Sequence, residues 1–262
     1  MKKGLTEMVF ILDRSGSMYG LEKDTIGGFN SMINKQKKET GEAYVSLVLF
    51  DTTIDVIYDR VPIENVKPLT EDIYYTKGCT AMLDAVGSSV HHIKNIHKYA
   101  RDEDRPEHTI FVITTDGMEN ASHQYSYDKV KNMIEEQRAK KFWEFIFLGA
   151  NIDAASTAVS MGISADTAVD YCSDSKGTAI LYDSINEAVS FKRKQETHSI
   201  KVCPCCGNQI NNEDLFCINC GMTLNQKESC TIAAPKCSMS TSWREKIDND
   251  FKIRKSRKNK TK

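Results

Sequence analysis

No export or membrane signal opens this sequence. The basic start Met1-Lys2-Lys3-Gly4 is followed by an apolar run, Met8 to Leu12, that ends at the charged Asp13. That run is too short for a signal-peptide core or a bilayer span. The chain also lacks the G-x-G-x-x-G and G-x-x-x-x-G-K-[ST] loops that cradle phosphates, which removes support for a nucleotide cofactor. It contains no internal repeat. Net charge is nearly absent too, at −1 over 262 residues. The near-neutrality is an average: Phe251 to Lys262 carries seven Lys or Arg and no acid, so residues 1–250 carry −8. An acidic body with a basic end is the result.

What is present begins with cysteine. Of nine cysteines, Cys79 and Cys172 stand alone, whereas Cys203, Cys205, Cys206, Cys217 and Cys220 crowd together. An odd count, paired C-x-x-C units and no export signal point to reduced thiols, a bound metal and a cytoplasmic setting, without membrane contact.

Apolar strands and amphipathic helices alternate through the first 190 residues, which predicts an α/β fold with a central, mostly parallel sheet. Met8–Leu12 is the first strand, and Ile26, Phe29, Met32 and Ile33 recur at helical spacing behind it. Ala43–Phe50 and Thr53–Tyr58 read as a hairpin that adds an antiparallel edge. A helix over Ala81–His97 precedes the most apolar strand, His108–Thr115, which is expected at the sheet centre. Ser126–Arg138 (helix), Phe142–Leu148 (strand), Asp153–Met161 (short helix), Thr167–Tyr171 (strand) and Lys176–Phe191 (helix) complete the layer. This body spans 5–191. Residues 192–201 read as a linker, 202–224 as a small cysteine unit, and 225–262 as a disordered basic tail.

The first strand runs directly into Asp13-Arg14-Ser15-Gly16-Ser17. One carboxylate and two hydroxyls on a tight loop, with no Cys or His, suit a hard cation such as Mg²⁺ rather than zinc or copper. The same residues are also favoured at a helix N-cap or turn. Context decides between these. In a parallel α/β sheet, function gathers at the carboxyl ends of the strands, and two further loops belong there: Lys77-Gly78-Cys79-Thr80 before a helix, and Thr114-Thr115-Asp116-Gly117 after the central strand.

Taken together, these loops resemble the metal-ion-dependent adhesion site of von Willebrand factor type A (vWA) domains, over about residues 5–190. The resemblance implies a Rossmann-like fold with helices on both sheet faces. It also implies that Ser15, Ser17 and Thr80 coordinate Mg²⁺ (or Mn²⁺) through hydroxyls, with Asp13 and Asp116 binding directly or through water. Cys79 replaces the family's second glycine. A cation held by few negative ligands remains electrophilic and keeps an exchangeable position, which a partner's Asp or Glu can fill. The implied function is Mg²⁺-dependent protein–protein interaction. The chain is most similar to intracellular vWA proteins found beside stress-response, tellurium-resistance and chaperone-like ATPase systems.

Two other functions compete. A metal-dependent hydrolase needs a general base, and His123 is the one candidate, although such a residue is more often an exposed loop histidine. Thr114 and Thr115 read as ordinary strand residues. A haloacid-dehalogenase-type phosphotransferase needs a second Asp where Ser15 stands.

Cys203-Pro204-Cys205-Cys206-Gly207 and Cys217-Ile218-Asn219-Cys220-Gly221 are two C-x-x-C-Gly turns with ten residues between the inner cysteines. Four thiolates at this spacing suit a structural, tetrahedral Zn²⁺ held by Cys203, Cys206, Cys217 and Cys220. So small a unit buries no core, so the metal supplies its folding energy. The pattern resembles short zinc ribbons. Cys205 is a bystander in this register, and Cys230 and Cys237 lack partners at zinc spacing. A ribbon with a basic tail also allows a nucleic-acid-associated adaptor, since clustered Lys and Arg bind phosphates.

Overall fold

The computed structural model describes residues 1–194, 197–203, 205, 206, 209, 210, 216–223, 230–235 and 242–258. Six strands form one sheet in the order β3-β2-β1-β4-β5-β6. They are β1 (Lys2–Asp13), β2 (Ala43–Phe50), β3 (Ile54–Pro62), β4 (Pro106–Thr115), β5 (Glu144–Gly149) and β6 (Ala168–Asp170). All neighbouring pairs are parallel except β2 and β3, the antiparallel edge. The mostly parallel sheet with one antiparallel edge strand agrees with the fold that the vWA resemblance implies.

The central strands are apolar throughout because both faces are covered. Side chains alternate across the sheet: Met8, Phe10 and Leu12 of β1 pack on one side with Phe29, Met32 and Leu181, and Val9 and Ile11 pack on the other with Val86, Val90 and Ile134. The first layer comes from α1 (Glu22–Gln36) and α5 (Ser175–Arg193). The second comes from α2 (Met82–Tyr99), α3 (Tyr127–Lys141) and α4 (Ala154–Ser160).

Helix ends follow their local chemistry. Ser126, Asp153 and Asp174 each accept a backbone N–H at the starts of α3, α4 and α5. Phe142, expected to open a strand, instead closes α3 in the left-handed region, φ 54°. A left-handed residue after the last turn is a common helix ending.

Two expectations about the remainder need correction. Residues 192, 193 and 197–201 belong to regular elements, not to a linker. Lys192 and Arg193 finish α5 buried: Lys192 lies 2.9 Å from Glu144, and Arg193 donates to the carbonyls of Gln36 and Gly41 at 2.7 and 2.8 Å. Thr197–Val202 is a strand, β7, antiparallel to β8 (Gln209–Ile210) and β9 (Cys230–Pro235), so the cysteine unit extends beyond 202–224.

Nor is 225–262 a disordered tail throughout. Ser242–Lys258 is a helix, α6, which packs on α5 and β6. Its Trp243 and Ile247 are 1% and 2% exposed within the main core. One turn further along the same face, Asp250 and Arg254 continue the stripe as charges. Arg254 pairs with Asp174 at 2.5 Å and with Asp250 at 2.8 Å, and Asp250 also faces Lys176 at 3.5 Å. A stripe that is half apolar and half ion-paired has no hydrophobic period, which is why the sequence pattern concealed it.

Candidate metal centre

The β1 end, the loop before α2 and the β4 end meet at the carboxyl edge of the sheet. Asp13, the last residue of β1, is 1% exposed. Its Oδ1 accepts the Ser15 backbone N–H at 2.7 Å, which closes the turn, and its Oδ2 accepts the Thr115 hydroxyl at 2.6 Å. Ser15 and Ser17 share a hydrogen bond of 3.1 Å between their hydroxyls, and Ser17 donates to Asp116 Oδ1 at 2.5 Å. Gly117 completes the cluster: a Cβ there would lie 3.2 Å from Ser17 Oγ and 3.3 Å from Thr80 Oγ1. The structure thus brings together all five residues expected to hold the harder cation.

Residues outside the motif hold these loops. Arg14, 2% exposed, turns away from the cluster to donate to Asp51 at 2.7 Å and to Asp55. Its own N–H and carbonyl tie the loop to Phe50 and Lys77, and Gly16 donates to the Gly78 carbonyl at 3.1 Å. Cys79, in place of a glycine, is exposed, and its N–H donates to Thr52 at 2.8 Å. That bond keeps the loop seated and leaves Thr80 facing inward, 3% exposed.

The N-terminus of α2 has no side-chain cap of its own. Glu119 and Ser122 provide one from the third loop by accepting the N–H groups of Leu83 and Asp84 at 2.8 and 3.0 Å. Glu119 there also meets the positive end of the helix dipole. In return Asp84 accepts three N–H groups, from His123, Gln124 and Tyr125, at 2.8–2.9 Å.

Burial dominates the electrostatics. It pushes the Asp13 carboxyl up to about 6, against hydrogen bonds from Ser15 and Thr115, and the charge of Asp116 adds to the rise. Asp116 is raised as well, first by burial, with Ser17 and Ser173 opposing. Neither carboxylate makes an ion pair among the described residues. Two buried, uncompensated carboxylates ringed by three hydroxyls form an all-oxygen donor set that fits Mg²⁺ or Mn²⁺.

Sequence reasoning missed several members of this centre. Thr115 is a buried donor to Asp13 rather than an ordinary strand residue. Ser173 reaches Asp116 Oδ2 at 3.4 Å from the loop after β6, and Asn120 accepts the Thr80 N–H at 2.9 Å. Only Thr115 carried a sequence signal, through its place beside the motif. His123 is exposed, held through its backbone alone, and does not line the cleft. That cleft, about 990 Å³, opens beside Ser17 and Asp116.

In the cysteine unit, Cys203, Cys206, Cys217 and Cys220 place their sulfurs within 4.8 Å of one another. Cys203 lies 3.6 Å from Cys220, and Cys206 lies 3.5 Å from Cys217. A tetrahedral zinc with Zn–S near 2.3 Å separates its sulfurs by roughly 3.8 Å, so the donor set fits that ion. The Gly221 N–H donates to the Cys217 carbonyl, with Gly221 at φ 73°, the left-handed turn that glycine permits. At Cys220 a hydrogen bond from the Met222 backbone favours the thiolate, but burial and the three neighbouring thiols outweigh it and push the thiol up. Cys205 is exposed and outside the cluster. The Cys230 side chain and Cys237 lie outside the described residues.

No protein-family model matches the chain, and no curated protein matches it. Solved structures do share its fold. The pilus adhesin SpaC from Lactobacillus rhamnosus GG aligns at TM-score 0.55 and 10% identity, covering 77% of this chain and 32% of that one. Weaker likenesses, both at TM-score 0.49 and 14% identity, are to a von Willebrand factor type A protein from Catenulispora acidiphila (78% and 46% covered) and to proximal thread matrix protein 1 from the mussel byssus (72% and 46%). The latter is described with a zinc-occupied MIDAS motif. The chain spans less than half the length of each of these structures. No helix among the described residues is long and apolar enough to cross a membrane.

Proposed function

We propose that this chain is a Mg²⁺-dependent protein-interaction module of the vWA type, not an enzyme, working in the cytoplasm. The observation that carries the reading is the convergence of Asp13, Ser15, Ser17, Thr80 and Asp116, from three loops, at the carboxyl edge of the sheet. Ser15, Ser17 and Thr80 would offer hydroxyls to the ion, and Asp13 and Asp116 would balance its charge. The ion supplies Lewis acidity and an exchangeable position that a partner's Asp or Glu fills. Mn²⁺ would serve the same ligands.

The chain's own residues prepare this exchange. Thr115 and the Ser15 N–H hold Asp13 in place, and Arg14 anchors the loop from behind through Asp51 and Asp55. Catalysis finds less support, since no histidine among the described residues lines the cleft. The cysteine unit would hold Zn²⁺ as a structural ion. Three of the cations of α6, Arg244, Lys246 and Arg254, already face acidic side chains, which weakens a nucleic-acid role for that part of the helix.

The test is capture of partners by the immobilised chain with and without Mg²⁺, alongside Asp13→Ala. Specific partners should be lost when Mg²⁺ is omitted and with the variant. Equal recovery of the same partners under all conditions would contradict a shared ion.

A further inference from the structure

The cleft beside the metal centre is larger than a bridging carboxylate needs. It measures about 990 Å³ and is open to solvent. One wall is α6, which brings Phe251 and Lys255 to the same cleft as Ser17 and Asp116. This wall is fixed: Trp243 and Ile247 are seated in the core, and Arg254 grips Asp174.

The charges that line the cleft are unequally engaged. Asp153 accepts the Ser156 N–H at the start of α4, and Asp174 caps α5 while pairing with Arg254. Lys255 has no carboxylate within ion-pair distance among the described residues. Its ammonium lies 5.3 Å from the centre of the Phe251 ring, a cation–π contact, and its charge is felt by Asp170. Tyr19 and Met118 also line the cleft and are 83% and 74% exposed, so both offer apolar surface to whatever enters it.

We propose that α6 completes a two-point site for an acidic peptide segment of a partner protein. One carboxylate of the segment reaches the cation, a second pairs with Lys255, and the chain between them lies against Tyr19, Met118 and Phe251. This inference rests on the metal-bridge reading. It adds a requirement that the ion alone does not impose, namely two acidic residues at a set spacing.

The experiment uses the full chain with Mg²⁺ and fluorescein-labelled Gly/Ser decapeptides carrying one Asp, or two Asp separated by one to five residues, followed by fluorescence anisotropy. The best two-Asp spacing should bind about fivefold tighter than one Asp, the upper end expected for a solvent-accessible ion pair. Lys255→Ala should remove that gain and leave one-Asp binding unchanged; Lys255 is exposed, so the variant keeps its fold. If the one-Asp peptide shows no Mg²⁺-dependent binding, the metal bridge fails and this inference with it. If one Asp binds through Mg²⁺ but a second adds nothing at any spacing, or the gain survives Lys255→Ala, the α6 site alone is overturned.

Discussion

In the α/β body, five oxygen-bearing side chains stand on a sheet closed on both faces by apolar layers, so packing supplies a frame for the centre. In the cysteine unit the cluster itself is nearly all the core there is: among the described residues, only Met222 packs against the buried Cys203 and Cys217. The difference separates two uses of a metal. Where packing already holds the fold, an ion can remain coordinatively open and exchangeable; where packing is missing, a closed shell of thiolates has to stand in for the core.

The comparison breaks most visibly at zinc. Chelation, or Cys217→Ser, should abolish hydrogen-exchange protection across 197–223 while the body's protection stays unchanged, because structural zinc contributes about 10–16 kcal/mol to such units. Loss of protection in the body as well would mean that the two regions fold together. Next comes the boundary between them. Trp243→Ala should lower the body's unfolding free energy in urea by about 3–5 kcal/mol, as expected for a fully buried Trp. An unchanged midpoint would remove α6 from the body.

The metal-free body should also carry a pH signature. In the native state Asp13 keeps its proton up to about pH 6, whereas in the unfolded chain it releases near 3.8. Between those values the native state binds more protons, so stability falls as pH rises, by about 3 kcal/mol in all at about 1.4 kcal/mol per pKa unit. Asp13→Asn should flatten that slope, and saturating Mg²⁺ should oppose it. A slope of opposite sign in the metal-free protein would refute the burial argument. Smallest is the support given by Thr115: Thr115→Val should keep the fold and weaken Mg²⁺ binding about tenfold, measured by calorimetry, as expected for a residue that orients a ligand.

Much of this was legible in the sequence where pattern and chemistry coincide. The central place of β4 followed from its continuous apolar run, the antiparallel edge from a hairpin pattern, and the three loops from residue types that suit a hard cation at strand ends. What stayed hidden was carried by contacts between distant segments. Arg14 reads as a filler between Asp13 and Ser15 until Asp51 and Asp55 are brought to it. Glu119 caps a helix that begins 37 residues earlier, at Met82. The helix α6 escaped because its inward stripe passes from apolar packing at Trp243 and Ile247 to ion pairs at Asp250 and Arg254. Lys192 and Arg193 looked like the start of a polar linker because a buried cation is recognisable only with its partners in view.

The measurement closest to the centre of this reading is water-proton relaxation during titration with Mn²⁺, which reports both ion binding and an exchangeable water on the ion. With the zinc site filled, wild-type protein should show one strongly enhancing site, and Asp116→Ala should lose it while remaining folded, checked by circular dichroism without added Mn²⁺. No enhancement in the wild type, or the same enhancement in the variant, would contradict an open cation site at Asp13, Ser15, Ser17, Thr80 and Asp116.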